Sequence, residues 1–133
     1  LAMSLAQAGS GMLNLDTNIV LFFVGNSLRR DEQRALDHDL DWAISDIVLW
    51  ELAQLERLRR FTLGLDSAEF AEFFARVRIL PITVEIARTS QRLDFASDPA
   101  DEIIAATSVV HRAPLVTRDA RLQKSLVVPL AIR

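Results

Sequence analysis

Cysteine is absent from the 133 residues, and histidine is held to two, His38 and His111. A disulfide framework, a thiolate zinc site, a cysteine nucleophile and an imidazole-rich metal centre are all excluded, and the lack of thiols fits a reducing cytoplasm. Any metal would have to be held by carboxylates. Glycine and proline number four each, too few for a flexible linker, and there is no internal repeat and no long block of like charge. One core, and no second domain, is expected. The longest apolar run, Ile19 to Val24, falls far short of the roughly 20 residues that cross a bilayer, so no membrane association is expected. Charge is missing altogether from Leu1 to Gly11, which ends Gly9-Ser10-Gly11 ahead of Met12. Residues 1–11 read as a linker or remnant, with the domain over 12–133. The first basic residue is Arg29, so the basic start of an export signal is lacking.

What is present is half hydrophobic and a quarter charged, the balance of a soluble globular domain. Leu13 to Leu15 reads as a short strand ending at Asp16-Thr17-Asn18, where Thr17 or Asn18 can cap a helix begun by Ile19 to Val24. Trp42 to Ile44 is a second strand, and Ser45 opens a helix to about Arg60. After Gly64, Asp66 and Glu69 have capping-box spacing, and Phe70, Phe73, Phe74 and Val77 fall on one helical face. Arg78 to Ile82 reads as a strand, Thr83 to Ala96 as a helix, and Asp98-Pro99 as the start of an apolar helix to His111. Leu115 to Thr117 is a strand, Asp119 to Lys124 a helical turn or two, and Leu126 to Leu130 a last strand. Short apolar strands alternating with helices predict an α/β domain, a parallel sheet covered on both faces. Ligands of such sheets collect outside the carboxyl ends of the strands.

Four carboxylates stand out. Glu51 lies among Ile47, Val48 and Leu55 on a helix face that wants burial, where an unpaired carboxylate costs on the order of several kcal/mol. It either meets a cation or reaches solvent or an arginine such as Arg57 or Arg118. Asp16 and Asp119 each follow a strand, where a simple capping role is equally open. Asp101 falls in the first turn of its helix, where it can also serve the helix dipole or a capping box. Asp98, before Pro99, is read as an N-cap, and Thr117 as a strand-end hydroxyl. An apolar α/β domain that aims four carboxylates at one end of its sheet must neutralise them, and a magnesium or manganese ion held by oxygens does so directly.

Leu13-Asn14-Leu15-Asp16-Thr17-Asn18, Ser45-Asp46-Ile47-Val48-Leu49-Trp50-Glu51-Leu52, the stretch Asp98-Pro99-Ala100-Asp101-Glu102-Ile103-Ile104-Ala105-Ala106-Thr107, and Leu115-Val116-Thr117-Arg118-Asp119 together resemble the PIN (PilT N-terminal) domain nucleases. Within these they resemble the small VapC-type toxins of toxin-antitoxin pairs, across Met12 to Arg133. The resemblance implies a three-layer α/β/α fold with a short parallel sheet and a protruding helical hairpin. It implies a magnesium- or manganese-dependent endoribonuclease in which Asp16 and Asp101 hold the metal, Glu51 and Asp119 orient the attacking water or a second ion, and Thr17, Asn18 and Thr117 lend polar support. It further implies RNA as substrate, a cognate antitoxin partner and a homodimer. The position after Asp101, commonly arginine in these toxins, is Glu102 here.

The net charge of −3 becomes +1 once the four site acids are set aside, and every basic residue but Lys124 is arginine, a side chain suited to phosphate. Three other readings compete. An aspartate-nucleophile phosphatase needs a second acid where Asn18 stands. A receiver-like signalling module needs a lysine at the end of a late strand, whereas Lys124 falls in a helix. A non-catalytic PIN-fold binding protein has no need of a full set of acids. Finally, Leu52, Leu55, Leu58, Phe61, Phe70, Phe73 and Phe74 of the hairpin over 46–77 exceed what one small core should bury, and an exposed interface is expected there.

Overall fold

A computed structural model describes residues 11–38 and 41–133. The reading of 1–11 as a linker therefore lies outside the described residues except for Gly11. Four short strands, β1 (Leu13–Leu15), β2 (Trp42–Ser45), β3 (Arg78–Leu80) and β4 (Leu115–Val116), form one sheet in the order β3-β2-β1-β4. All pairings are parallel, with Leu13 opposite Trp42, Asn14 opposite Leu115 and Ala43 opposite Arg78. β1 and β2 are buried along their whole length, as expected of strands covered by helices.

Seven helices connect and flank the strands: α1 (Thr17–Val24), α2 (Arg30–His38), α3 (Asp46–Arg57), α4 (Ala68–Arg76), α5 (Val84–Ser90), α6 (Pro99–His111) and α7 (Ala120–Gln123). α6 packs against α5, α3, β1 and β2, and α1 packs against α3 and α4. The α/β class and parallel sheet agree with the sequence reading. The core joins Leu15, Ile19, Leu36, Ile44, Leu52, Ile104 and Leu115 with an aromatic cluster in which Phe23 meets the edge of Trp42 at 5.0 Å and leans on Phe73 at 5.8 Å. The Arg76 guanidinium covers the Trp42 ring 3.4 Å from its centroid.

Several local expectations are corrected. Asp16, not Thr17 or Asn18, caps α1, its carboxylate accepting from the Thr17 N–H. Ser67 caps α4 in place of the expected Asp66–Glu69 box, its hydroxyl accepting from the Phe70 N–H. The helix expected to reach Ala96 ends at Ser90 through three-residue turns, and the chain then brings Leu93 and Phe95 onto the core, which a straight helix would not do. The last strand shrinks to a single bridge between Leu115 and Leu130. Leu126 and Val127 project outward, and Asp94 grips Ser125 and the Leu126 N–H instead. α2 was not anticipated because it buries only Glu32 and Leu36, too few residues to set up a periodic apolar face.

The hairpin is also less exposed than its composition suggested. Leu52, Phe70 and Phe73 are core residues, and the large apolar side chains left exposed on this hairpin are Trp50 and Leu58.

Candidate active site

The order β3-β2-β1-β4 makes the chain leave β1 toward one side and arrive at β4 on the other, opening a crevice at their carboxyl ends. Asp16 and Thr117 occupy it from either side. The Asp16 N–H donates to the Val116 carbonyl at 3.1 Å, continuing the ladder by one residue, and the Thr117 hydroxyl donates to Asp16 Oδ2 at 2.6 Å. Thr117 Oγ1 in turn accepts from the Asp119 N–H at 3.0 Å, and Asp119 caps α7 by accepting from the Arg121 and Leu122 N–H groups. One hydroxyl thus links the first acid to the loop that carries the last.

Glu51, on the middle turn of α3, accepts a very short hydrogen bond from the Thr17 hydroxyl. Neither Arg57 nor Arg118 reaches it: Arg57 bonds Gln54, and Arg118 pairs with Glu32. Asp101 comes from the first turn of α6 and accepts from the Ser97 hydroxyl at 2.8 Å, while Glu102 accepts from the Ser97 N–H at 3.1 Å. Glu102 therefore serves the helix entry, where a carboxylate offsets the unpaired donors of the first turn. The placement of α6 is set by Asn14 of β1. Fully buried, it donates to both the Ile104 carbonyl at 3.1 Å and the Ser108 hydroxyl at 2.9 Å.

Burial raises the Asp16 carboxyl to about 6, against the lowering effect of its bonds to Thr117 and Thr17; the charges of Asp101 and Glu51 push it the same way as burial. Glu51 is raised chiefly by burial, with Asp101 and Asp98 adding repulsion. Asp101 is likewise raised by burial first, then by Asp119 and Asp98, with Arg121 opposing. The predicted acids are consequently one electrostatic unit centred on Asp101. Asn18 is exposed on the first turn of α1, and its side chain makes no hydrogen bond to the described residues.

Asp98 carries a charge beside the site that its reading as an N-cap did not include. It stands at the N-cap of α6 but its side chain caps nothing, and its charge bears on both Glu51 and Asp101. Together with Ser97, Asp101, Asp119, Arg121 and Lys124 it lines an open cleft of about 490 Å³. Arg121 donates to the Ala96 carbonyl at 3.2 Å, which holds a cation at the rim. No periodicity or motif in the sequence would have singled out Arg121, because its role depends on a contact across 25 residues.

The donors gathered here are oxygens only, which suits a hard divalent cation such as magnesium or manganese. Among the described residues no three acidic or imidazole side chains approach closely enough to form a ready-made cage. Magnesium commonly keeps several waters and takes one or two carboxylates together with a substrate phosphate, so a set of mutually repelling carboxylates around Asp101 fits it.

A model of the PIN domain matches residues 14–125. Ribonuclease VapC22 of Mycobacterium tuberculosis is 36% identical over 93 residues, which cover 68% of this chain and 72% of that protein. Among solved structures, VapBC2 from Rickettsia felis bound to a DNA fragment from its promoter superposes with a TM-score of 0.71 at 19% identity, over 90% of this chain and 96% of the other. A toxin-antitoxin complex from Klebsiella pneumoniae superposes with a TM-score of 0.65 at 24% identity, over 89% and 95% of the two chains. These two likenesses establish a shared fold.

Proposed function

Since the chain belongs to the PIN domain family, we propose that it is a ribonuclease toxin of the VapC kind, cleaving RNA phosphodiester bonds with the help of magnesium or manganese. The observation that carries the reading is the charge-coupled set Asp16, Glu51 and Asp101, each raised by burial and by its neighbours, at the carboxyl end of a parallel sheet.

Asp16 and Asp101 would hold the ion, which when bound supplies Lewis acidity to the attacking water and the departing oxygen. The chain's own residues do the rest. The Thr117 hydroxyl occupies one lone pair of Asp16 Oδ2 and so orients the carboxylate. Thr17 does the same for Glu51, whose raised affinity for protons suits it to take one from water. Asp119 is anchored by the Arg121 and Leu122 N–H groups that its carboxylate accepts from and by its own N–H donating to Thr117 Oγ1, and it lines the cleft with Asp101. Arg121 and Lys124 line the same cleft with positive charge, where a phosphate would lie.

Purified protein incubated with RNA should cleave it in magnesium or manganese and stop on addition of EDTA. Asp16→Asn and Asp101→Asn should each abolish cleavage while folding normally. Full activity in either variant, or in EDTA, would refute the assignment. The partners proposed are an antitoxin that inserts a basic residue among the acids, and a second copy of the chain. An RNA target places the activity in the cytoplasm.

A further inference from the structure

Another cavity, among the described residues, lies away from the acids. It has a volume of about 540 Å³ and is lined by Phe23, Asn26, Leu28, Arg30, Gln33 and Arg34, at the junction of α1 and α2. No carboxylate lines it. Arg30 and Arg34 are one helical turn apart, both exposed, and neither has an ion-pair partner among the described residues. Asn26 adopts a left-handed conformation, φ 57°, that asparagine tolerates. It closes α1 through paired bonds, Asn26 N–H to the Phe23 carbonyl at 3.1 Å and Ser27 N–H to the Phe22 carbonyl at 2.7 Å, so the loop at the mouth is rigid. Gln33 donates to Asp37, which leaves its carbonyl oxygen able to accept.

This cavity is tied to the acidic centre. Arg118, between Thr117 and Asp119, bonds Glu32 of α2 through two nitrogens at 2.7 and 2.8 Å, donates to the Ser27 carbonyl at 3.2 Å and stacks on Phe22. The loop bearing Asp119 and the loop at the cavity's mouth therefore share one clamp. Along α1 the path from Asp16 to Phe23 is about 10 Å at a rise of about 1.5 Å per residue. A nucleic-acid strand covers that in about three nucleotides at a rise of about 3.4 Å.

We propose that the α1–α2 cavity is an anchoring subsite for single-stranded RNA flanking the scissile bond. The inference rests on the ribonuclease reading above. A chain of net charge −3 whose centre is a cluster of acids repels a polyanion, so affinity gains from guanidiniums placed outside that cluster, in addition to Arg121 and Lys124 at its rim. Arg30 and Arg34 present two forks for phosphate oxygens, Asn26 and Gln33 offer amide groups to base edges, and Phe23 and Leu28 provide an apolar floor. An acidic peptide could also meet the arginines, and it is an outcome that the test below separates from RNA.

The test measures binding of a short fluorescent single-stranded RNA in EDTA, where cleavage is prevented, across a salt series. Arg30→Gln with Arg34→Gln should weaken binding by at least about tenfold and make the salt dependence shallower by about 1.4, the loss of two phosphates at about 0.7 each. Arg88→Gln with Arg92→Gln removes the same charge elsewhere and should do neither. Asn26→Ala should weaken binding without altering the salt slope. An unaltered slope in the first variant, or an equal loss in the second, overturns the subsite, as does a cavity that proves to take an acidic protein segment with RNA binding untouched. Should the wild-type protein fail to cleave any RNA in magnesium or manganese, the ribonuclease reading itself fails. Cleavage by the wild type with an unchanged slope removes only the subsite.

Discussion

Asp16 takes up protons more readily when folded than when unfolded, because burial outweighs its two hydrogen bonds. Its carboxyl rises from 3.8 to about 6, so between those values the folded state binds the extra proton and the metal-free protein loses stability as pH rises. The whole loss is about 3 kcal/mol, complete above about pH 6. Asp16→Asn carries no such penalty. In EDTA its melting temperature should fall less steeply through this window, since only Glu51 and Asp101 remain raised, and should lie above the wild type at neutral pH, as thermal unfolding at stepped pH would reveal. A wild-type protein that instead becomes more stable from pH 4 to pH 7 would contradict the burial of a charged Asp16. Thr117→Val removes the donor to Oδ2 and should raise the Asp16 carboxyl further in an NMR titration, with a loss of cleavage of about 10- to 100-fold, the range typical of residues that orient a ligand. At this scale the candidates were legible: Asp16 and Asp119 just past strands, Glu51 among apolar helix neighbours and Asp101 in a first helical turn. Asp98 was not, because a residue before proline at a helix start already has an ordinary explanation, and only its missing capping bond shows that its charge is spent on the site.

At the level of elements, the site depends on how α6 and the β4 loop are held. Asn14 pins α6 to β1 with two bonds from one buried amide. Asn14→Ala should cost about 2–3 kcal/mol in denaturant unfolding, from two lost hydrogen bonds and a small cavity, and should lower cleavage although residue 14 lies outside the cleft. Arg118 holds the β4 loop to α2. Arg118→Met strands Glu32, only 4% exposed, without its cation and should destabilise by about 3 kcal/mol. Adding Glu32→Leu should return most of that stability, and a double-mutant cycle by urea unfolding checks it. β1 to β4, and α1, α3, α6 and α7, could be read from apolar runs and capping residues. α2 could not, since its structural worth lies in Glu32 meeting a residue 86 positions away, a long-range pairing that leaves no local pattern.

For the molecule as a whole, an acidic cleft with a cationic rim sets the terms on which partners bind. An antitoxin arginine or lysine entering between Asp16 and Asp101 would gain about 1.5–3 kcal/mol per charge-assisted bond and would occupy the place of the cation. Excess magnesium should therefore weaken the toxin-antitoxin complex in a titration calorimeter, and alanine at the inserted residue should restore cleavage without dissolving the complex. Inhibition indifferent to magnesium would refute direct blocking. A homodimer is expected to use exposed apolar residues; besides Trp50, Leu58, Leu126 and Val127, three of these, Ile79, Ile82 and Val84, lie together on the edge strand β3 and its sequel. Val84→Glu should shift light scattering toward the monomer. Phe73→Glu would be a poor probe, because Phe73 is part of the core and its charge would unfold the chain.

By itself the sequence determined the class of fold and put forward the candidate acids. Alternating short apolar runs and capped helices are met by a covered parallel sheet, and Asp16 and Asp119, just beyond two of those runs, must then lie at one end of it. Tertiary structure alone decided the rest. The order β3-β2-β1-β4 put Thr117 against Asp16 across 101 positions. Packing buried Phe70 and Phe73 that composition had assigned to an interface, and side-chain geometry left the Asp98 carboxylate at its N-cap without a capping bond and joined Arg118 to Glu32. Such pairings depend on distance in space, and spacing along the chain carries no record of it.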